Sequence, residues 1–159
     1  MTIFVDTREK ARAITKILAA FDRRGVKHIS NKLYVGDYQR IDNPMIVVDR
    51  KQSLLEISNN VCQDHKRFIA ELERANDAGI HIVFLIEHSK NINALEDVKK
   101  WVNPRLKVSP LAMSGERLHK IMATISAKYG CEFRFCSKNE TGDEIIRILS
   151  DGLTEENDG

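Results

Sequence analysis

Residues 36–51 read Gly-Asp-Tyr-Gln-Arg-Ile-Asp-Asn-Pro-Met-Ile-Val-Val-Asp-Arg-Lys, and this stretch decides the fold. Asn43-Pro44 marks a turn, and the β-branched run after it is typical of a strand that is covered on both faces. A strand is also predicted before the turn, over Lys32–Asp37, where apolar and polar residues alternate. A hairpin-like connection between the two strands would bring Asp37 beside Asp49.

Strands and amphipathic helices alternate along the rest of the chain, which predicts an α/β fold with a central mixed β-sheet flanked by helices. No linker is evident, so residues 1–150 are expected to form a single domain. Residues 151–159 are acidic and are expected to be a disordered tail. Further strands are predicted over Thr2–Asp6, Ile80–Ile86 and Cys131–Cys136, and helices from Lys10 to Gly25, from Ser53, and over Val61–Ala78, Asn93–Lys100, Ser114–Tyr129 and Thr141–Ser150.

The composition suits a soluble globular protein, since 42% of the 159 residues are hydrophobic and 30% are charged. The longest apolar run, Ile80–Ile86, is too short to cross a bilayer, so no membrane association is expected. The N-terminus lacks a secretory pattern, and three cysteines without such a signal indicate a reducing, intracellular location. The chain has no phosphate-binding G-x-x-x-x-G-K-[ST] motif, so ATP is not an expected ligand. The net charge of +2 neither demands nor excludes nucleic acid.

The end of the second hairpin strand carries a candidate metal site. Residues two apart on a strand share a face, so Asp49 and Lys51 should point one way and Arg50 the other. Asp37, Asp49 and the lysine would then form a site for Mg²⁺ or Mn²⁺, with a bound water as the nucleophile. The spacing Asp-x(11)-Asp-x-Lys is that of PD-(D/E)xK nucleases, in which the carbonyl of the residue at position 50 also binds metal. By itself the spacing is a weak signal, because charged residues often end strands.

Two further blocks strengthen the nuclease interpretation. Val5-Asp6-Thr7-Arg8-Glu9, then Gly36-Asp37-Tyr38, then Ile46–Lys51 occur in this order. Together they resemble the XPF/Hef-type structure-specific DNA endonuclease domain, and the resemblance extends from Thr2 to Leu149. It implies a restriction-endonuclease-like fold and metal-dependent hydrolysis of phosphodiester bonds in branched, flapped or junction DNA.

The resemblance also implies roles for individual residues. Three aspartates match the acidic metal-site positions of the family, one lysine matches its catalytic lysine, and one arginine lies on the helix that follows the motif. The expected catalytic residues are Asp6, Glu9, Asp37, Asp49 and Lys51; the expected metal ligands are Asp6, Asp37, Asp49 and the carbonyl of Arg50; Arg67 is expected to reach DNA.

Two positions depart from the family pattern. Asp49 stands where the family usually has Glu. Leu55 stands where the pattern E-R-K-x-x-x-D has its last acid, and Glu56 cannot simply replace that acid because one residue rotates a helix by about 100°. This departure sustains an alternative function, that of a catalytically silent relative that binds branched DNA or serves as a dimerisation partner.

The basic residues allow more than one interpretation. Lys99, Lys100 and Arg105 form the densest basic stretch and are predicted to bind DNA, while the neighbouring Trp101 could stack on bases or simply anchor a loop. Arg8 could contact a phosphate or pair with a neighbouring acid.

A homodimer is also predicted. The helices over 114–129 and 141–150 carry broad apolar stripes, for which core packing is the default explanation. The resemblance adds a second use, because domains of this family pair through their C-terminal helices.

Overall fold

The computed structural model describes residues 1–88 and 91–151. They form a six-stranded sheet, five α-helices and two short 3₁₀ helices, at Leu95–Lys100 and Pro104–Lys107. The strands are β1 Thr2–Val5, β2 Lys27–Ser30, β3 Tyr38–Arg40, β4 Ile46–Lys51, β5 His81–Glu87 and β6 Glu132–Cys136. The helices are α1 Thr15–Arg23, α2 Leu54–Cys62, α3 His65–Asp77, α4 Gly115–Tyr129 and α5 Thr141–Asp151.

The sheet is mixed, with the strand order β2-β1-β3-β4-β5-β6. Strands β1, β3 and β4 pair antiparallel at its centre, whereas β2, β5 and β6 join by parallel pairing. Tyr38 lies opposite Val48 in the β3–β4 hairpin, so the predicted hairpin connection is confirmed. The mixed sheet flanked by helices also confirms the predicted fold class.

Each face of the sheet has its own hydrophobic core, and strand alternation assigns residues to one or the other. Val47 and Phe84 belong to the core under α2, α3 and α4. Val48 and Leu85 belong to the core under α1 and α5. By the same alternation, Asp49 faces the first of these layers.

The segment before β3 differs from the prediction. Residues 32–37 form no strand, and 34–37 are bends, although Leu33 and Val35 are buried as the alternation suggested. The paired strand is instead β2, Lys27–Ser30, which is mostly exposed and therefore shows no apolar periodicity. The predicted helix over Val61–Ala78 is divided between α2 and α3 near Asp64, the residue before α3.

The C-terminal helices use their apolar stripes inside the domain. Leu118 and Met122 of α4 and Ile145 and Ile148 of α5 are buried against the sheet. The stripes therefore do not by themselves indicate an interface, and the homodimer stays a prediction. Within the described ranges, no helix has the length and apolarity needed to cross a bilayer. The acidic tail expected beyond α5, residues 152–159, lies outside the described residues.

Candidate active site

A polar cleft of about 300 Å³ opens where the ends of β3 and β4 meet α2 and α3. Acids occupy its interior, four arginines border it, and a phenylalanine and a valine form its apolar wall. The lining residues are Arg8, Glu9, Val35, Gly36, Asp37, Asp49, Arg50, Lys51, Glu56, Asn60, Asp64, Arg67, Phe68, Glu71 and Arg74.

Gly36 shapes the approach of the chain to the cleft. Its φ is +75°, in the left-handed region, and a Cβ at this position would lie 3.0 Å from Cγ2 of Val47. The turn delivers Asp37 to the start of β3, where the Asp37 N–H donates to the carbonyl of Val48 across 2.9 Å. A side chain at position 36 would push the two strands apart, so glycine is required on both counts.

Asp37 is a buried acid held by the backbone of β4. Its Oδ2 accepts a hydrogen bond from the Arg50 N–H at 2.8 Å. Burial and the nearby charge of Asp49 raise the pKa of Asp37 well above its usual range, and the Arg50 N–H opposes this rise. The two aspartates therefore repel each other when both are ionised.

Lys51 shares the cleft face with Asp49, as strand alternation predicts. Its Nζ lies 3.4 Å from Oδ1 of Asp49 and 5.9 Å from the ring centroids of Phe68 and Phe84. Burial would lower the pKa of Lys51, but Asp49 and the other cleft acids outweigh it and raise the pKa. Lys51 is therefore an ammonium at neutral pH, which suits a donor or a positive charge and not a base.

Glu71 is the cleft residue that sequence reasoning missed. It lies on α3 and is hydrogen-bonded to Asp49, and its Oε1 accepts from the Gly36 N–H at 3.3 Å. Burial and the charge of Asp49 raise the pKa of Glu71 to about 8. In the sequence it lay within a charged helical stretch that resembled solvated surface. Its spacing of four residues from Arg67, beside the inward Phe68, was the available signal.

Arg50 points to the opposite face of the sheet, also as predicted. Its Nε donates to Oε2 of Glu9 at 3.0 Å and its Nη1 to Oε1 of Glu87 at 3.0 Å. The Tyr38 hydroxyl donates to the same Oε2 of Glu9 at 2.8 Å. Glu9 therefore borders the cleft, and its Oε2 accepts two hydrogen bonds within this buried network. The catalytic role expected for Glu9 from the sequence stays a prediction.

The structure does not bring Asp6 into the cleft. Its backbone N–H donates to the Asp37 carbonyl, but its carboxylate accepts from the Arg8 N–H, Arg8 Nε and the Leu33 N–H at 3.2, 2.6 and 2.9 Å. Burial would raise the pKa of Asp6, but these bonds lower it. The carboxylate of Asp6 thus fixes the loop around Arg8, and a role of Asp6 in metal binding or catalysis stays a prediction.

For Arg8 the structure shows the acid pairing, and contact with a phosphate stays a prediction. It pairs with Asp6, yet its side chain is 60% exposed and lines the cleft. Arg67 and Arg74, seven residues apart on α3, line the cleft on the same helical face.

The other predicted DNA-binding residues lie outside the cleft. Lys99 pairs with Glu96, and Lys100 lies 3.6 Å from Asp97. Arg105 borders a separate groove beside the end of α2. Trp101 packs against the core, which favours the loop-anchor interpretation.

Position 55 does not face the cleft. Leu55 is half-buried on α2, whereas Glu56 is among the lining residues. Glu56 accepts from the Gln52 N–H at 2.7 Å, and its own N–H donates to the Ser53 hydroxyl at 3.1 Å, so it helps to begin α2. Glu56 therefore contributes to the cleft wall, and the expectation that it cannot simply replace the family acid at position 55 stays a prediction.

The donor set of the cleft fits a hard divalent cation. Asp37, Asp49 and Glu71 outnumber the single ammonium of Lys51, and oxygen ligands are those that Mg²⁺ and Mn²⁺ prefer. Asn60 adds a buried Oδ1 that has no hydrogen-bond partner within the described residues. Among residues 1–88 and 91–151, no three His, Cys, Asp or Glu side chains are grouped closely enough to hold a metal ion by themselves, but Mg²⁺ usually keeps several waters and is often bound by only one or two carboxylates together with substrate phosphates.

The mixed sheet, its strand order and the flanking helices are those of the restriction-endonuclease-like fold. The family model of the ERCC4 domain matches residues 5–148. The chain therefore belongs to the ERCC4 domain family, as the resemblance to XPF/Hef-type domains predicted.

Solved structures support the same fold. The chain is similar to XPF from Aeropyrum pernix, with a TM-score of 0.68 and 18% identity over 99% of this chain and 68% of that one. It is also similar to XPF from Aeropyrum pernix in complex with DNA, with a TM-score of 0.62 and 17% identity over 97% and 66% of the two chains. The chain thus spans about two thirds of these proteins. Among curated proteins, none matches it.

Proposed function

We propose that this protein is a metal-dependent DNA endonuclease that hydrolyses phosphodiester bonds in branched, flapped or junction DNA. The observation that carries the proposal is the convergence of Asp37, Asp49 and Lys51 in one cleft, with Nζ of Lys51 3.4 Å from Asp49. Membership of the ERCC4 domain family supports it. That a structural relative, XPF from Aeropyrum pernix, is known in complex with DNA supports the DNA substrate.

Asp37, Asp49 and the carbonyl of Arg50 would hold Mg²⁺ or Mn²⁺. When bound, such an ion supplies Lewis acidity toward a phosphoryl oxygen and lowers the pKa of a water. The acids themselves would orient this water, because their positions are fixed by the β3–β4 hairpin and by the Arg50 N–H on Asp37.

Lys51 would act as a charged donor. Its ammonium would neutralise charge that develops on the phosphate and would orient the attacking water, and its raised pKa argues against the alternative in which it removes the proton. The rings of Phe68 and Phe84 and the carboxylate of Asp49 limit where this ammonium can lie.

The arginines of the cleft would hold the DNA backbone. Arg8, Arg67 and Arg74 carry guanidinium groups along the cleft that contains the acids, and guanidinium groups bind phosphates with two parallel hydrogen bonds. Lys99, Lys100 and Arg105 remain proposed contacts for DNA that extends beyond the cleft. A DNA substrate further leads us to propose an intracellular location, and the homodimer is proposed on the same footing.

The test is a cleavage assay with end-labelled fork, flap, four-way junction and linear duplex DNA, in Mg²⁺, Mn²⁺ or EDTA. We expect the wild type to cut the branched substrates only with metal, and Asp49→Asn to bind them without cutting. Asp42→Asn removes an acid outside the cleft, in the β3–β4 turn, and is the matched control that should still cut. Tight binding of forks by the wild type with no cutting in either metal would establish the silent-binder function instead.

A further inference from the structure

A buried ion-pair network lies directly beneath the candidate metal site, on the other face of the sheet. The side chain of Arg50 is 4% exposed and that of Glu87 is 6% exposed. Glu9, 12% exposed, is the second acid on the same guanidinium. Two carboxylates therefore bind the one buried guanidinium of Arg50, each through an N–O distance of 3.0 Å.

The position of Arg50 in the chain connects this network to the site. Arg50 lies between Asp49 and Lys51, whose side chains occupy the cleft, and its own N–H binds Oδ2 of Asp37. A rotation of the Arg50 peptide would therefore move the side chains of Asp49 and Lys51, the N–H that binds Asp37, and the carbonyl proposed to bind the metal. The pairing of β4 with β3 ends at Val48, opposite Tyr38, so backbone pairing with β3 does not hold the Arg50 peptide in place.

Glu9 and Glu87, which bind the Arg50 guanidinium, lie on separate elements of the fold. Glu9 comes from the loop after β1 and is braced by the hydroxyl of Tyr38, on β3. Glu87 is the last residue of β5, the strand that pairs parallel with β4. The side chain of Arg50 is thereby tied to the strand on either side of β4, at the level where the cleft begins.

We propose that Glu9 and Glu87 are positioning residues, which hold the Arg50 side chain from beneath the sheet and so fix the peptide that presents Asp49, Lys51 and the hydrogen bond to Asp37. This inference rests on the proposed function for its consequence in catalysis. It differs from the role expected for Glu9 from the sequence, that of a catalytic residue. Glu87 had no assigned role.

The first test needs neither metal nor activity. Amide hydrogen exchange of the metal-free protein, resolved by NMR, reports the bond from the Arg50 N–H to Asp37. We expect Glu87→Gln and Glu9→Gln each to speed exchange at the Arg50 amide at least tenfold, with Val83 of the central sheet unchanged. Asp42→Asn, which removes the partner of another buried arginine, Arg40, is the matched control and should leave the Arg50 amide protected.

The second test separates positioning from ligation. We expect Glu87→Gln to lower the Mn²⁺ affinity at least fivefold, as measured by calorimetry, and to leave the DNA affinity unchanged. Because Glu87 does not line the cleft, this loss of affinity would have to be transmitted through Arg50. In an Arg50→Gln background the Glu9 and Glu87 substitutions should have no additional effect on Mn²⁺ affinity.

The contrary outcomes are distinct. Unchanged exchange at Arg50 in Glu87→Gln overturns the proposal, as does a Glu9→Gln effect on Mn²⁺ that persists in the Arg50→Gln background, because Glu9 would then be a ligand. If Glu87→Gln does not fold, Glu87→Asp keeps the charge and shortens the reach, and faster exchange is again expected. A wild type that never cuts DNA would refute the proposed function while leaving the exchange result valid.

Discussion

The carboxyl groups of Asp49 on β4 and Glu71 on α3 are hydrogen-bonded to each other in the cleft. Such a bond between two acids requires one proton. Since the pKa of Glu71 is raised to about 8, the metal-free protein retains this proton at neutral pH. The cleft is therefore adapted to lose a proton when a cation enters it.

The first prediction concerns the pH dependence of stability. The pKa of Glu71 is higher in the folded protein than its ordinary value of 4.5, so the folded state binds the proton more tightly. The stabilisation is fully present below pH 4.5 and is lost as the pH rises through about 8. The free energy of unfolding of the metal-free protein should fall over this window by at most about 1.4 kcal/mol per pH unit from this group.

Glu71→Gln should flatten this dependence and make the protein more stable than the wild type at pH 8, as measured by urea denaturation in EDTA. Glu73→Gln is the matched control, because Glu73 lies on the same helix and is exposed. Equal pH profiles for wild type and Glu71→Gln would contradict the proton assignment.

The second prediction concerns the repulsion between Asp37 and Asp49. Removing one charge should relieve it, so Asp37→Asn, which leaves the Asp49–Lys51 pair intact, should raise the melting temperature of the metal-free protein, by about 3 °C for each kcal/mol of repulsion. Mg²⁺ should stabilise the wild type by mass action and leave Asp49→Asn nearly unaffected. Differential scanning calorimetry with and without Mg²⁺ measures both effects.

Asp77→Asn, at the exposed end of α3, is the control for a general effect of charge. A magnesium-dependent stabilisation of the same size in Asp49→Asn and in the wild type would remove Asp49 from the metal site.

The third prediction concerns Lys51. Lys51→Met keeps an apolar stem against Phe68 and Phe84 but removes the ammonium. We expect cleavage to fall by about 10²–10³-fold, the usual cost of one transition-state donor, with fork affinity within about threefold because several phosphate contacts remain. Gel-shift and single-turnover cleavage assays measure the two quantities.

Lys128→Met is the matched control, since Lys128 lies 5.3 Å from the ring centroid of Tyr129 on α4, outside the cleft. Lys51→Met that cuts as fast as the wild type would exclude a catalytic role for this lysine.

The fourth prediction ranks the basic residues. Arg67 and Arg74 line the cleft, whereas Lys99 and Lys100 are each paired with an acid one turn away. Arg67→Ala with Arg74→Ala should reduce the slope of log K against log salt by about 0.9 for each lost contact, and Lys99→Ala with Lys100→Ala by less. A larger effect from the lysine pair would show that the DNA runs over the 3₁₀ segment instead.

The fifth prediction concerns the departure at position 55. Because Leu55 does not line the cleft and Glu71 already adds an acid to it, Leu55→Asp should change the cleavage rate by less than about threefold. Ser53→Ala in the same turn of α2 removes the helix cap and controls for simple destabilisation. A large gain of cutting in Leu55→Asp would locate a catalytic defect at this position.

Local patterns predicted most of the fold. The β-branched run of β4, the turn at Asn43-Pro44 and the Ser53 cap appear where the residues placed them. Strand β2 could not be found, because an exposed edge strand carries no buried face to produce a pattern. Leu33 and Val35 are both buried in a bent loop. The alternation of apolar and polar residues there reflects burial and not pairing with another strand.

The site was predictable where it lies on one hairpin and not where it depends on tertiary packing. The hairpin brings Asp37 beside Asp49, and strand alternation places Lys51 on the same face as Asp49, but the family resemblance was needed to assign them a function. The orientation of Glu71 depends on how α3 packs on the sheet. The Asp6 carboxylate is held outside the cleft by Arg8 and the Leu33 N–H, and neither contact can be predicted from sequence spacing.

The pairing of β3 with β4 also has a kinetic consequence. Among the described strands, β3 and β4 are the one pair that is both consecutive in sequence and antiparallel. Their connection is therefore the shortest loop that the sheet closes. Local pairings of this kind form early in folding. The two mutually repelling aspartates would then meet before the rest of the sheet assembles, and their charge would slow the rate-limiting step at low ionic strength. If the proposed metal site is correct, Mg²⁺ would offset this repulsion and the domain would fold faster in its presence.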